Sequence, residues 1–126
     1  MKTKVIFQKF EKINNVFKEE LSFETNGILQ NNILSFIDNE KIINVVTLDL
    51  PSVKVERKGE IVTILTFEQK KKTTLLIKTN FGNLNIDIYT QTLKYENNQL
   101  DIIYDVFETD TEFKTYKLKI SLIHIK

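Results

Sequence analysis

The second half of the chain alternates apolar and polar residues with a period of two, and short polar turns interrupt the pattern. Leu84, Ile86 and Ile88 share one parity, and the segment 116–122 repeats the arrangement. Only a β-strand places alternate residues on opposite faces, so this half is predicted to be a run of half-buried antiparallel strands. The pattern constrains the architecture without naming any chemistry.

Turn signals rich in Asn, Asp and Gly recur at short intervals along the chain. Asn and Gly tolerate the left-handed backbone conformations that hairpin turns require, so each signal is predicted to separate two strands. The clearest signals are Asn14-Asn15, Asn26-Gly27, Asn31-Asn32 and Asn97-Asn98. Strands are predicted near residues 3–11, 16–26, 33–38, 42–49, 52–58, 60–68, 72–79, 83–95, 99–108 and 112–125. This spacing favours an all-β meander that closes into a barrel or a sandwich, with residues 1–126 as a single domain.

The amino-terminal segment admits two interpretations. Its apolar residues also follow the three- and four-residue spacing of an amphipathic helix. They are Phe7, Phe10, Ile13, Phe17 and Leu21. Strands are favoured because an Asn-Asn pair interrupts the helical pattern, and because Phe17, Leu21 and Phe23 would share one face of a strand.

Composition excludes several classes of function. The chain contains no cysteine and a single histidine, His124, which excludes disulfide scaffolds, thiolate metal sites and cysteine nucleophiles. A net charge of +1 provides no long-range attraction to nucleic acid or to an anionic membrane. The common motifs of hydrolases, metalloproteases and nucleotide-binding proteins are absent. We therefore expect no enzyme activity, no cofactor, no metal, no nucleic-acid partner and no membrane partner.

The amino terminus opens with basic residues, as a signal peptide does. Gln8 and Lys9 interrupt its apolar stretch too early for a signal sequence. No stretch approaches the roughly 20 apolar residues that a membrane-spanning helix requires. The expected location is the cytoplasm.

From about Ile43 onward, the order and spacing of several segments resemble a known family. These segments are Val53-Lys54-Val55-Glu56-Arg57-Lys58-Gly59, Thr66-Phe67-Glu68, Thr79-Asn80-Phe81-Gly82-Asn83-Leu84, Ile88-Tyr89-Thr90, Leu100-Asp101-Ile102-Ile103-Tyr104 and Leu118-Lys119-Ile120-Ser121-Leu122. They resemble the YwiB-like proteins, a family of uncharacterised bacterial β-barrels of calycin type. The resemblance implies an antiparallel, up-and-down, lipocalin-like barrel of about 8–10 strands. It implies no activity and no catalytic residues, although other calycin barrels bind small apolar molecules in the barrel mouth.

Arg57 is the sharpest candidate for a functional residue. It is the one arginine among 18 basic residues, which suggests a position that needs a planar, bidentate guanidinium. Arg57 shares parity with Val53 and Val55, so it is predicted to face the barrel interior near a strand end. Two roles for Arg57 stay open at that position. It recognises a carboxylate or phosphate of a ligand, or it is a structural residue that pairs with barrel-end carbonyls or an internal carboxylate. The structural role is the commoner one for a buried arginine. Asp101 and Asp105 are candidates for that carboxylate.

Four further residues are candidates for ligand binding, each with a structural alternative. Phe81, in a hairpin turn, is predicted to cap the core; an exposed Phe81 would instead gate the barrel mouth. Thr79, Thr90 and Tyr104 are polar groups within strands. Thr90 and Thr92 share one parity, so they form the polar tips of a cavity or the solvated end of a strand, and the solvated end is favoured.

Two functions from different classes stay open. The favoured one is a non-enzymatic barrel that binds a small, partly apolar ligand in its interior, with Arg57 recognising an anionic end. This function requires a cavity of roughly 300 Å³ or more beside an unpaired guanidinium. The alternative is a protein-interaction or assembly module with a filled barrel and no small-molecule ligand, in which a homo-oligomer forms through an exposed apolar patch.

Overall fold

A computed structural model describes residues 1–124, and every regular element in this part of the chain is a β-strand. The strands are β1 (Lys2–Ile13), β2 (Val16–Gln30), β3 (Ile33–Ile37), β4 (Ile43–Asp49), β5 (Ser52–Lys58), β6 (Val62–Glu68), β7 (Lys72–Thr79), β8 (Gly82–Glu96), β9 (Gln99–Phe107) and β10 (Phe113–His124). The favoured strand assignment of the amino-terminal segment is confirmed, and its helical alternative is wrong. The predicted end of the last strand, Ile125, lies outside the described residues. Within residues 1–124 we find no helix with the length and apolarity needed to cross a membrane.

The strands form a closed antiparallel barrel in which each strand pairs with its neighbours in sequence. Closure comes from β1, which pairs with β2 on one side and with β10 on the other. Among the described residues no strand therefore lies at the edge of a sheet, where another chain could extend it. The predicted all-β, up-and-down barrel is confirmed, with its strand number at the upper end of the expected range.

Three Asn-Asn pairs make tight turns at the positions that the sequence predicts. Both residues of the pairs at 14–15, 31–32 and 97–98 have φ angles between 52° and 64°, which Asn tolerates better than most residues. Gly82, the first residue of β8 after the β7–β8 turn, has a φ of 129° that few residues other than glycine adopt.

The predicted turn at Asn26-Gly27 is wrong, because β2 continues through it to Gln30. A Cβ atom added at Gly27 would lie 2.8 Å from the carbonyl oxygen of Ser35 and 2.9 Å from a methyl group of Val5. Glycine is needed here so that β1 and β3 can approach β2 closely. Gly27 is therefore needed for close packing of the strands and not for a turn.

A β-bulge in β2 changes which residues face the interior. Lys9 lies opposite Leu21, but the next residue of β1 lies opposite Glu19, so Glu20 is an extra residue without a partner on β1. An extra residue exchanges the two faces of a strand. Phe17 therefore lies on the other face from Leu21, contrary to the prediction.

A second bulge, at Gln91 in β8, has the same effect on two threonines. Thr90 pairs with Tyr104, whereas Thr92 pairs with Ile103. Thr90 is fully buried in the interior, and Thr92 is exposed on the outer face. The prediction that Thr90 and Thr92 share one face is therefore wrong.

The barrel interior is filled at one end and hollow at the other. At the end that carries the β2–β3, β4–β5 and β8–β9 turns, apolar side chains leave a void of only about 10 Å³, no larger than one water molecule. These side chains are Leu34, Val46, Leu48, Tyr95, Leu100, Ile120 and Leu122. At the opposite end, which carries the β3–β4, β5–β6 and β7–β8 turns, a cavity of about 260 Å³ opens to solvent. We call these the filled end and the hollow end.

We expect Gly27→Ala to destabilise the barrel by about 1–3 kcal/mol, because the added methyl group collides with the backbone of β3 and forces the strands apart. Chemical denaturation followed by circular dichroism measures the change. Asn26→Ala, at the neighbouring exposed position of β2, is the matched control and should change the free energy of unfolding by less than about 0.5 kcal/mol. Equal stability of Gly27→Ala and the parent protein would contradict the requirement for close approach.

Candidate functional site

The cavity at the hollow end has mostly apolar walls and a polar mouth. Its apolar walls are Phe7, Leu21, Phe23, Val55, Leu65 and Leu118. The rings of Phe7 and Phe23 stack with their centroids 4.9 Å apart. Tyr104 also lines the cavity, and its ring packs edge-on against the buried Phe67 at a centroid distance of 4.9 Å. The polar residues of the mouth are Lys9, Asp38, Asn39, Glu40, Asn44, Arg57 and Thr63.

Arg57 faces the barrel interior at the end of β5, as its parity predicts, and it lines the cavity. Its guanidinium is already paired. The Nε atom donates to Asp38 Oδ2 at 2.8 Å, and Nη2 lies 3.4 Å from Glu40 Oε1. The condition of an unpaired guanidinium is therefore not met, and the arginine satisfies an internal carboxylate. The cavity, about 260 Å³, is also smaller than the required volume of roughly 300 Å³.

Asp38 connects the β3–β4 turn to the barrel wall. Its Oδ1 atom accepts the backbone N–H groups of Glu40 at 2.9 Å and Ile42 at 3.1 Å. Its Oδ2 atom accepts the amide of Asn44 at 2.8 Å in addition to Arg57. The residue is 8% exposed, and each carboxylate oxygen has two donors. Asp38 thus holds the turn against β4 and β5 and has little capacity left for a ligand.

The environment of Asp38 keeps it ionised. Burial alone would raise the pKa of Asp38, but the hydrogen bonds from Arg57, Asn44 and two backbone N–H groups lower it from 3.8 to about 2. The hydrogen bond to Asp38 in turn raises the pKa of Arg57. The pair therefore remains charged across the physiological range, and a carboxylate with so low a pKa is a weak base.

The predicted partners of Arg57, Asp101 and Asp105, do not reach it. Asp105 is buried on the other face of β9 from Tyr104, where its Oδ1 atom accepts Gln91 Nε2 and Thr115 Oγ1, both at 2.7 Å. Asp101 accepts the side-chain amide of Gln99 at 2.9 Å. Both carboxylates have local partners on β8, β9 or β10, so the prediction that one of them meets Arg57 is wrong.

Lys9 is a second cation at the cavity, and it was not among the predicted site residues. Its Nζ atom lies 4.8 Å above the ring centre of Tyr116 and 3.8 Å from Glu20 Oε2. The signal that could have found it is the alternation of Val5, Phe7 and Lys9, which places all three on the inner face of β1. Asp38 could have been found in the same way, because it follows the inward parity of β3.

Tyr104 and Arg57 are the two predicted site residues that the structure brings together in one cavity. Thr79, Phe81 and Thr90 do not line it. Thr79 Oγ1 accepts the backbone N–H of Phe81 and donates to the carbonyl of Gly82. These two hydrogen bonds organise the β7–β8 turn. Phe81 is fully exposed at the tip of that turn, so the prediction that it caps the core is wrong.

Thr90 is buried, and its hydroxyl has no hydrogen-bond partner among residues 1–124. Burial raises the pKa of Tyr104, so its hydroxyl keeps a proton to donate. Within the same described part of the chain, no three Asp, Glu or His side chains come together to hold a metal ion. The expected lack of a metal and of a cofactor stays a prediction.

A closed, antiparallel, up-and-down β-barrel with one hollow end defines the class of protein to which this chain belongs. A family model described as a domain of unknown function, DUF1934, matches residues 5–120. The chain therefore belongs to the DUF1934 family.

The fold is similar to that of a solved bacterial protein. The crystal structure of the YwiB protein from Bacillus subtilis matches with a TM-score of 0.75 and 15% sequence identity, over 99% of this chain and 92% of that chain. At this identity the likeness shows the fold alone. The resemblance to YwiB-like proteins is confirmed. The comparison with curated proteins found no match.

We expect the stability of the barrel to fall as the pH drops from about 4 towards 2. The folded pKa of Asp38, about 2, lies below its unfolded value of 3.8. The ionised side chain therefore stabilises the fold above the unfolded pKa, and this contribution, about 2 kcal/mol, is lost as the pH falls through the folded pKa. Asp38→Asn should unfold about 2 kcal/mol more easily at neutral pH, because Arg57 loses its charged partner.

Urea denaturation at several pH values measures both effects. Arg57→Ala should destabilise the barrel in the same direction, since it leaves Asp38 buried without a cation. Asp49→Asn, at an exposed position of β4, is the control and should follow the parent profile. Parallel stability profiles of Asp38→Asn and the parent protein between pH 2 and about 5 would show that ionisation of Asp38 does not cause the loss of stability at low pH.

Proposed function

We propose that this protein is a non-enzymatic barrel that binds a small, partly apolar molecule in the cavity at its hollow end. The observation that carries the proposal is a cavity of about 260 Å³ with mostly apolar walls in a barrel whose other end is filled. Ligand sites are concave, mostly apolar and few in each protein, with a small number of polar groups that orient the ligand. The size of the cavity restricts the ligand to a small molecule.

The polar groups of the mouth support binding without catalysis. A general base needs a pKa near the working pH and a free lone pair. The buried carboxylate of Asp38 has neither, because its pKa is about 2 and each of its oxygens accepts two hydrogen bonds. The proposal includes a cytoplasmic location, which cell fractionation tests.

We expect octan-1-ol to bind in the cavity, because its alkyl chain can replace water along the walls. Chemical-shift changes in an NMR titration measure its affinity and should centre on Phe7, Phe23 and Tyr104. Leu21→Trp should weaken binding about tenfold or more, because the indole ring occupies the cavity. The control is Ser22→Trp, at the neighbouring exposed position of β2, which should bind octan-1-ol like the parent protein.

Thermal unfolding of both tryptophan variants checks that each retains its fold. Octan-1-ol that perturbs no cavity residue in the parent protein would overturn the proposed site. Equal affinities for the two tryptophan variants would overturn it as well.

A second candidate function is assembly through the outer surface of β2, β3 and β4. Ile28, Ile37 and Ile43 are 55%, 50% and 49% exposed, and they border an apolar groove of about 490 Å³ on this surface. Exposed apolar side chains that cluster in this way are a feature of interaction surfaces. The barrel has no free edge among its described strands, so a second copy of the chain would have to bind face to face. This alternative assumed a filled barrel, and the cavity at the hollow end counts against that assumption.

If a second copy binds there, we expect a dimer in sedimentation equilibrium, and Ile37→Lys should convert it to a monomer because a charge replaces the apolar contact. Ile123→Lys, at a site of similar exposure on β10, is the control and should leave the dimer intact. A monomeric parent protein at millimolar concentration would argue against assembly of this kind.

A further inference from the structure

We propose that Lys9 selects the ligand of the cavity, and that the ligand is a singly charged carboxylate with an apolar chain. This inference rests on the proposed function, because it requires that the cavity binds a small molecule. It assigns the recognition of charge to Lys9 instead of Arg57.

The two cations at the mouth differ in how fully they are neutralised. Arg57 donates to the buried Asp38 at 2.8 Å and has Glu40 as a second carboxylate at 3.4 Å. The nearest carboxylate of Lys9 is Glu20 at 3.8 Å, whose side chain is about half exposed. An ion pair that is long and solvated contributes little to stability. Lys9 is therefore the cation that an incoming anion can neutralise at the lower cost.

The position of Lys9 suits the recognition of an amphipathic molecule. It lies on the inner face of β1, opposite Leu21 and Leu118, with its ammonium group above the ring of Tyr116. Lys9 pairs with Leu21, and the bulged residue Glu20 lies next to Leu21 in β2. Bulges commonly redirect side chains beside binding sites. The side chain of Lys9 has apolar surroundings along its stem and a charged ammonium group at its tip. It therefore matches a ligand whose apolar chain enters the cavity and whose charged head group stays at the mouth.

Two polar groups of the cavity, those of Tyr104 and Lys9, favour a ligand that accepts hydrogen bonds. Asp38 already accepts four hydrogen bonds, so it offers little to a donating ligand. Tyr104 keeps its phenolic proton, and Lys9 carries only donor hydrogens. A carboxylate accepts from such groups and forms charge-assisted hydrogen bonds with an ammonium group.

The local charge favours one negative charge over two. Around the mouth, the cations Lys9 and Arg57 face three carboxylates, those of Glu20, Asp38 and Glu40. A phosphate monoester brings up to two charges at neutral pH, and the single weakly paired ammonium group would neutralise only one of them. A carboxylate brings one charge.

The test compares octanoate, octan-1-ol and octyl phosphate in NMR titrations of the parent protein and of Lys9→Met. The three probes share a chain and differ in the head group. We expect the parent protein to bind octanoate about tenfold more tightly than octan-1-ol, and more tightly than octyl phosphate. Lys9→Met keeps the apolar stem and should bind octanoate no more tightly than octan-1-ol. Lys9→Arg should restore the preference for octanoate.

Lys4→Met is the matched control, because Lys4 lies on the outer face of the same strand and is paired with Glu24 at 2.9 Å. It should keep the preference of the parent protein for octanoate. Equal binding of octanoate and octan-1-ol by the parent protein, or a preference for octyl phosphate, overturns the inference and leaves the cavity site intact. Retention of the octanoate preference by Lys9→Met also overturns it. If no probe perturbs the cavity residues, the proposed function fails, and this inference fails with it.

Discussion

The pairing of β1 with β10 is the constraint on which the rest of the structure depends. It joins the ends of a meander that would otherwise be an open sheet, and it creates an interior in which alternate residues of every strand are sheltered. The pairing is also the most non-local contact of the fold, since Thr3 lies opposite His124. Because β1 closes the barrel, its inward residues become walls of the cavity, and Lys9 faces that cavity instead of bulk water.

The Asp38–Arg57 pair shows how a residue selected as a ligand-binding candidate can serve the fold. Attraction between a nearly buried carboxylate and a guanidinium is offset by the cost of removing both from water, so the net stability from such pairs is modest. Breaking the pair is costly all the same, because the partner left behind stays charged. The hydrogen bonds of Asp38 to the backbone of the β3–β4 turn fix the shape of the cavity mouth. Arg57 thereby helps to hold the mouth of the cavity in shape.

Much of the fold was predictable because period-two alternation is a local property of the sequence. The strands and the inward direction of Arg57 followed from parity, and the Asn-Asn turns followed from the backbone preferences of asparagine. The failures occurred where a property depends on a distant strand. The bulges at Glu20 and Gln91 are defined by register against β1 and β9, which parity within one strand cannot reveal. Gly27 is a glycine because β3 approaches it, and the sequence around it resembles an ordinary turn.

The candidate site was less predictable than the fold for the same reason. Arg57 was conspicuous as the single arginine, whereas Lys9 was one of many lysines and only its inward parity distinguished it. The carboxylate that meets Arg57 comes from the turn after β3, two strands away in the sheet, and not from the acidic positions of β9. Phe81 was expected to cap the core, but the β7–β8 turn carries its side chain beyond the barrel, where no other element covers it.

The unequal packing of the two barrel ends separates two demands that a small protein usually has to meet with the same residues. The side chains of the filled end leave a void of only about 10 Å³, whereas those of the hollow end surround a cavity of about 260 Å³. In the proposed binding role, the wall residues Leu21 and Leu65 would set which molecules fit, while Asp38 and Arg57 hold the rim in place. If the cavity binds a ligand as proposed, its specificity would depend on the wall residues, and the packing of the filled end would be unaffected by changes in them.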